Sequence, residues 1–285
     1  MIRERCVATG CDGKYFPAAI SLVRSLSRTN PGIPVVVFGF GLTRRQKKCI
    51  SRYADVVERA PFMEIAGRGK FSYIGRATML KFEVVEMEFE KVLYLDSDMV
   101  VLGPIEQLFD IPPGRVGVVP EVNRVRDMFR PRDRERLSHG IDIGWEKPGF
   151  NAGLFTLYPR EWKELKEMAA GLVDRFGPDV FSKSKDQQLL NILFSGHLVE
   201  FPKCYNFSPL YDEGRTDPVI IHYLAAVKPW HANYPLSLRY PEFREHISAF
   251  EYPAILKNDM REKAVRVRNK MRGLFTEGNA INEGA

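Results

Sequence analysis

The stretch that most constrains this chain is residues 91–102, KVLYLDSDMVVL. Two apolar runs, 92–95 and 99–102, flank Asp96, Ser97 and Asp98. Such runs suit a buried strand ended by a polar break. Two carboxylates at the end of a buried strand are costly unless a positive charge meets them. A divalent cation is the simplest partner. Residues two apart in extended chain point the same way, so both carboxylates can face one ion. Oxygen ligands favour Mg²⁺ or Mn²⁺ and leave coordination positions open for substrate phosphates. A bare D-x-D also fits a solvated turn. The strongly apolar flanks on both sides are unusual for a plain turn and favour the metal.

A chain of 285 residues, 45% of them hydrophobic, can bury a sizeable core in one large domain or two small ones. No run is long enough to span a bilayer, and the opening Met1-Ile2-Arg3-Glu4-Arg5 leads into strand-like sequence rather than a signal peptide. Cys6, Cys11, Cys49 and Cys204 lie in no metal-ligand spacing, which points to reduced thiols and a cytoplasmic setting. The net charge is +6, and residues 254–274 carry seven basic against two acidic side chains, so nearly all the excess sits in one short segment. A basic tail on a neutral body argues against a nucleic-acid surface and for a local partner.

Along the chain, residues 6–9 read as a first strand and 10–13 as a turn. Phe16, Ala19, Ile20, Val23 and Leu26 then recur at helical spacing, until Asn30-Pro31-Gly32 ends the helix. Residues 35–38 form a second strand, Thr43 caps a helix to about Tyr53, and Val56-Val57 suggests a third strand. This alternation predicts an α/β fold with a mostly parallel sheet. A helix over 77–87 feeds the central strand. Residues 121–149 are polar and arginine-rich without clear periodicity, the pattern of a functional flap or a solvated insertion. Strands follow at 150–158, 198–201 and 219–222, with helices from Pro159 and over 185–194. One domain is expected over 1–250, then a tail over 251–285. In that tail Leu256, Met260, Ala264, Val267, Met271 and Leu274 make an apolar helical stripe between basic residues, before a disordered end. The stripe suits either an anionic membrane surface, contacted through 254–275, or packing on the body.

Several polar groups follow strand-like runs. In open α/β sheets ligands sit at the carboxyl ends of strands, so Thr9, Asp96, Asp98 and His222 can converge on one crevice. His222 ends the run 219–222 and can complete a ligand set with the two aspartates, though a lone histidine also suits a core. Lys228, before Pro229 and Trp230, can offset the charge of a metal-bound diphosphate, or simply lie in solvent. Asn151, Ala152 and Gly153 put an amide and two small residues at a strand start, which fits a ligand's close approach or a bulge. Asp186 and Gln187 open a helix, where an acid is also simply favourable.

Taken in order, YLDSD, FNAG, DQQLLN and HYLAAVKPW resemble glycosyltransferase family 8, the retaining GT-A enzymes that include glycogenin and bacterial lipooligosaccharide galactosyltransferases. The similarity covers roughly residues 6–230. It implies a single Rossmann-like GT-A domain with a mostly parallel, mixed central sheet flanked by helices. It also implies a UDP-sugar donor, Mn²⁺ (Mg²⁺ in its place), and a glycan or lipid-linked acceptor, at the membrane's inner face if the tail binds there. By the motifs, Asp96, Asp98 and His222 would ligate the metal and Lys228 the diphosphate. Ala8, Thr9, Asp12 and Tyr15 would form the nucleoside pocket, Tyr15 by stacking on uracil. Ser97, Asn151, Ala152 and Lys81 would hold the donor, with Arg76 a competing choice for Lys81. Asp186 and Gln187 would act at the reacting sugar. Ala225 departs from the family, which usually has glycine there, so a methyl group meets the phosphate loop. A sugar-nucleotide-binding protein without catalysis, or a metal-dependent nucleotidyltransferase, would share much of this pattern; HY…KPW speaks against the latter.

Overall fold

A computed structural model describes residues 3–65, 76–212, 217–235, 238, 240–248, 260 and 264. Strand β1 (Arg3–Asp12) leads to helix α1 (Phe16–Thr29), β2 (Val35–Phe40), α2 (Arg44–Ile50) and β3 (Asp55–Glu58). A 3₁₀ helix, Arg76–Glu86, takes the place of the α-helix expected before the central strand and delivers the chain to β4 (Phe89–Leu95). After the Asp-Ser-Asp break come β5 (Met99–Val101), β6 (Val116–Arg124), α3 (Pro131–Ser138) and β7 (Pro148–Leu157). Helices α4 (Leu165–Phe176) and α5 (Asp186–Leu193), strands β8 (Leu198–Glu200) and β9 (Ile220–His222), and the short α6 (Tyr240–Arg244) follow.

The main sheet runs β3-β2-β1-β4-β7-β6-β8. The first four strands are parallel, β7 is antiparallel to β4 and β6, and β8 is parallel to β6. Alternation along β4 sorts its side chains onto two cores. Leu93 and Leu95 face the layer that holds α1, whereas Val92 and Tyr94 face the layer that holds the 3₁₀ helix and α5. Local chemistry sets the ends: Thr43 accepts from the Gln46 amide in a capping box at α2, and Asn30 closes α1 through its N–H to the Leu26 carbonyl.

Two more expectations change. β1 continues to Asp12, so 10–13 is not wholly a turn; Gly10 and Cys11 stay extended because they pair with Phe38 and Gly39 of β2. Residues 121–149 are not a loose flap. Val125, Met128, Phe129, Leu137 and Ile143 are buried in the core, and several arginines of the stretch are paired, Arg124 and Arg126 with Glu146 and Arg130 with Asp133. Those ion pairs hide the apolar spacing under an excess of charge. The residues of the tail lie outside the described set apart from Met260 and Ala264. No helix among the described residues is long and apolar enough to cross a membrane.

Candidate functional site

β4 ends at Asp96, whose N–H donates to the Gly153 carbonyl of β7 at 2.7 Å. A tight turn, closed by Met99 N–H to Asp96 O at 3.2 Å, then reverses into β5. β5 pairs antiparallel with β9 in a register that sets Met99 opposite His222. That register brings His222 beside Asp98, and ligand atoms of Asp96, Asp98 and His222 all lie within 4.8 Å of one another. The aspartate pair and a histidine far along the chain therefore share one point in space.

The imidazole is held for ligation. His222 Nδ1 faces Asn206 Oδ1 at 2.9 Å, so Nδ1 carries the proton and donates. Nε2 lies 3.2 Å from Asp98 Oδ1. A proton or a metal ion must lie between that nitrogen and the carboxylate oxygen, and the donor set of two carboxylates and an oriented imidazole fits a divalent ion. Gly153 is enforced by this packing. A Cβ there would stand 2.5 Å from His222 Cε1, 2.7 Å from Asn151 Oδ1 and 2.8 Å from Asp96 Oδ2.

Each aspartate already meets a buried lysine. Lys81 Nζ lies 3.2 Å from Asp96 Oδ1, 2.5 Å from Asp186 Oδ2 and 2.9 Å from the Ala152 carbonyl. Burial would push its ammonium down, but Asp186 and Asp96 outweigh burial and hold its pKa above the usual value. Lys228 Nζ lies 2.5 Å from Asp98 Oδ2 and 2.7 Å from the Tyr223 carbonyl. Burial would raise the Asp98 carboxyl, yet Lys228 and His222 hold it well below the usual carboxylate range. Tyr94 gives Asp96 a further hydrogen bond; burial, then Asp96 and Asp186, push its phenol well above the ordinary range.

A recess opens over these groups, lined by Gly10, Cys11, Asp12, Tyr15, Thr78 and Ser97 among others. Asp12 Oδ1 accepts from the N–H groups of Lys14 and Tyr15, at 2.9 and 3.0 Å, and so fixes the turn that presents Tyr15. Tyr15 packs edge-on against Trp230 at 5.5 Å, and Lys228 Nζ lies 5.9 Å from its ring centre. Ala8 and Thr9 are fully buried within β1 and do not line the recess; Gly10 and Cys11 do so instead, because the strand runs further than its sequence suggests. Ser97 lies on the wall. The side chain of Arg76 is outside the described set.

The opposite wall joins β7 to α5. Asn151 Nδ2 donates to Gln187 Oε1 at 3.3 Å, and Asn151 Oδ1 accepts from the Gly153 N–H at 2.9 Å. Asn191 clamps the two elements by accepting from Phe150 N–H and donating to Phe150 O, both at 2.9 Å. Gln188 Oε1 accepts from the N–H groups of Lys183 and Ser184, at 3.1 and 2.8 Å, bracing the turn into α5. In DQQLLN, then, the second glutamine and the asparagine are scaffold, and Asp186 and Gln187 face the site. Lys185, just before them, holds a left-handed φ of 43°, strain of the kind that clusters at functional positions.

Two groups escape sequence reasoning. Glu121, within β6, is hydrogen-bonded to Asn151 and Gln187; burial raises its carboxyl despite those bonds and the nearby Lys203 and His222. It directly follows the largely apolar run 116–120 but reads as the first residue of the Arg-rich stretch 121–149. Asn206, on the short turn Lys203–Asn206, joins His222 to Asn151 Oδ1 at 3.3 Å; nothing in its local sequence marks it.

Comparison with known proteins agrees with this geometry. The model of glycosyl transferase family 8 matches residues 6–234. Lipopolysaccharide glucosyltransferase WaaO of Escherichia coli K12 is 29% identical over 205 residues, 65% of this chain and 58% of that protein. Glycosyltransferase GlyF of Streptococcus pneumoniae is 30% identical over 252 residues, 80% of this chain and 57% of that one. The chain thus spans between half and three fifths of the length of the bacterial relatives first matched. Among solved structures, galactosyltransferase LgtC in complex with donor and acceptor sugar analogs aligns at TM-score 0.69 and 19% identity, over 84% of this chain and 94% of that one. That likeness is one of fold, the GT-A fold.

Proposed function

The chain belongs to glycosyl transferase family 8, and from that premise we propose that it transfers a hexose, glucose or galactose, from a UDP-sugar to a hydroxyl of a glycan or glycolipid, with retention. The observation that carries this reading is the meeting of Asp96, Asp98 and His222 under a recess walled by Asp12 and Tyr15, with Lys228, Asp186 and Gln187 around it. The names of its relatives, glucosyl- and galactosyltransferases, support a hexose.

Asp96, Asp98 and His222 would hold Mn²⁺ or Mg²⁺, which when bound supplies neutralising charge for the departing diphosphate. Tyr15 offers the base a flat apolar face, and Asp12 fixes its approach. Lys228 exchanges Asp98 for a phosphate oxygen and so adds positive charge where the leaving group gathers negative charge. Asn151 and Asp186 take sugar hydroxyls. Asp186 is bound to Lys81 at 2.5 Å, which makes it a poor free nucleophile and favours front-face transfer guided by the leaving phosphate. Gln187 and Glu121, joined through hydrogen bonds, flank the place where the acceptor hydroxyl must enter, and Glu121 can orient it. We assign the basic residues 254–275 to contact with an anionic inner membrane face.

The test is UDP release from UDP-glucose and UDP-galactose with Mn²⁺, for the wild type and Asp98→Asn. Release that Asp98→Asn abolishes is the expected result. UDP binding without release under any acceptor would select the non-catalytic binding protein, and the absence of both would reject the reading. Flotation of the same protein with anionic against neutral liposomes tests the tail: equal recovery rejects the membrane assignment.

A further inference from the structure

Tyr94 is buried in β4, two residues before Asp96. Its ring stacks on Phe155 of β7, with centroids 5.2 Å apart and planes 15° from parallel. Lys81 Nζ lies 5.3 Å from the centre of the same ring. Packing on the ring fixes where the hydroxyl points. That hydroxyl has two partners: it accepts from the main-chain N–H of Gly10 and donates to Asp96. The first bond follows from the sheet. Val7 N–H donates toward β2, to the Pro34 carbonyl, so Gly10, three residues on, turns its N–H toward β4. β4, however, last pairs with β1 where Tyr94 stands opposite Ala8. The phenol oxygen takes the donor that the sheet leaves unpaired. A hydroxyl has one proton, so it goes to the carboxylate.

Asp96 needs such a hold. Its two oxygens have different neighbours. Oδ1 lies 3.2 Å from Lys81 Nζ. Oδ2 faces the ligand cluster: the point where a Gly153 Cβ would stand is 2.8 Å from Oδ2 and 2.5 Å from His222 Cε1. The Asp96 side chain is also 29% exposed, against 9% for both Asp98 and Asp186, so packing does least to fix it. A buried ammonium attracts both oxygens of a carboxylate. Packing alone does not stop Asp96 from turning both toward Lys81, whereas a directed hydrogen bond to a charged acceptor is strong enough to oppose it.

We propose that Tyr94 is a positioning residue for the metal. Its hydroxyl holds Asp96 with Oδ1 toward Lys81 and Oδ2 toward the ion, and so keeps the carboxylate from closing on the lysine. The inference rests on the transferase reading in one respect, that Asp96, Asp98 and His222 ligate a divalent ion.

The experiment measures metal binding first and turnover second. Mn²⁺ is titrated into the full chain with UDP and followed by the electron paramagnetic signal of the free ion, for the wild type, Tyr94→Phe and Phe155→Leu. Tyr94→Phe removes one oxygen and keeps the ring. Phe155→Leu loosens the packing of the ring and keeps the hydroxyl. Tyr94→Phe is expected to weaken Mn²⁺ binding about tenfold or more, the loss that follows when a group orienting a ligand is removed, and to leave UDP affinity without metal unchanged. In turnover, the Mn²⁺ concentration for half-maximal rate should rise by the same factor, with kcat restored at saturating Mn²⁺. A merely structural defect would lower kcat at every Mn²⁺ concentration. Unchanged Mn²⁺ affinity in Tyr94→Phe overturns the proposal. So does an equal loss in Phe155→Leu, which would trace the effect to packing, and so does failure of Tyr94→Phe to fold, which would make the hydroxyl a stability group. A wild type that takes up no Mn²⁺ strikes the transferase reading instead, so the two failures are distinguishable.

Discussion

Gly153 shows how little freedom the site leaves at single positions. Its missing Cβ makes room for His222, Asn151 and Asp96 at once, each within 2.8 Å of where a methyl would stand. Gly153→Ala is expected to push His222 and Asp96 apart. Mn²⁺ affinity, read by the electron paramagnetic signal of the free ion, should fall about tenfold or more, a loss of the size seen when the groups orienting a ligand are disturbed. Unchanged affinity would mean that the three side chains do not act together. Ala225 is the opposite case, a side chain where none is wanted. Left-handed backbone costs a non-glycine residue about 1–2 kcal/mol, and the greater freedom of glycine in the unfolded chain returns about 0.4–1 kcal/mol of that. Ala225→Gly should therefore stabilise the fold by up to about 1.5 kcal/mol, visible as a rise in Tm; a fall would show that the methyl's packing outweighs its strain. The sequence marked Ala225 as a departure from the family, and the φ of 85° explains why glycine is usual there.

At the level of elements, the site is a product of strand register. β5 is only Met99–Val101 and β9 only Ile220–His222, yet their pairing decides whether His222 reaches Asp98. Behind β9 the turn Lys203–Asn206 supplies the hydrogen bond that fixes the imidazole tautomer. Asn206→Leu keeps the volume and removes the bond. It should weaken Mn²⁺ binding roughly 10–100-fold with the circular dichroism spectrum unchanged; full affinity would show that β9 alone orients the ring. The aspartates and the histidine were legible in sequence because charge at the end of an apolar run is conspicuous. Asn206 and Glu121 were not, since each acts only through partners far along the chain. The end of β1 was misplaced by three residues for a related reason. Gly10 and Cys11 look like turn residues locally, and only pairing with β2 keeps them extended.

Across the whole molecule, the alternation of strands and helices foretold the parallel half of the sheet, β3-β2-β1-β4, while β7 and β6 supply the antiparallel half that carries Asn151 and Glu121. The Arg-rich stretch 121–149 was unreadable because its ion pairs mask its buried apolar residues. One feature of this architecture reaches beyond geometry. The two carboxylates do not wait bare for a cation: Lys81 occupies Asp96 and Lys228 occupies Asp98. An incoming divalent ion must therefore compete with an ammonium, and Lys228 gives way cheaply only when a diphosphate offers it another anion. Metal and nucleotide are then thermodynamically linked, each raising the other's affinity by the same factor. Calorimetry should find that factor to be about tenfold or more in both directions, and Lys228→Met should bring it close to one while tightening the binding of Mn²⁺ alone. A factor of one in the wild type would remove the lysine from this role. On these terms the site behaves as an ion exchanger loaded with its own side chains, and it is selective for a cation and an anion that arrive as a pair.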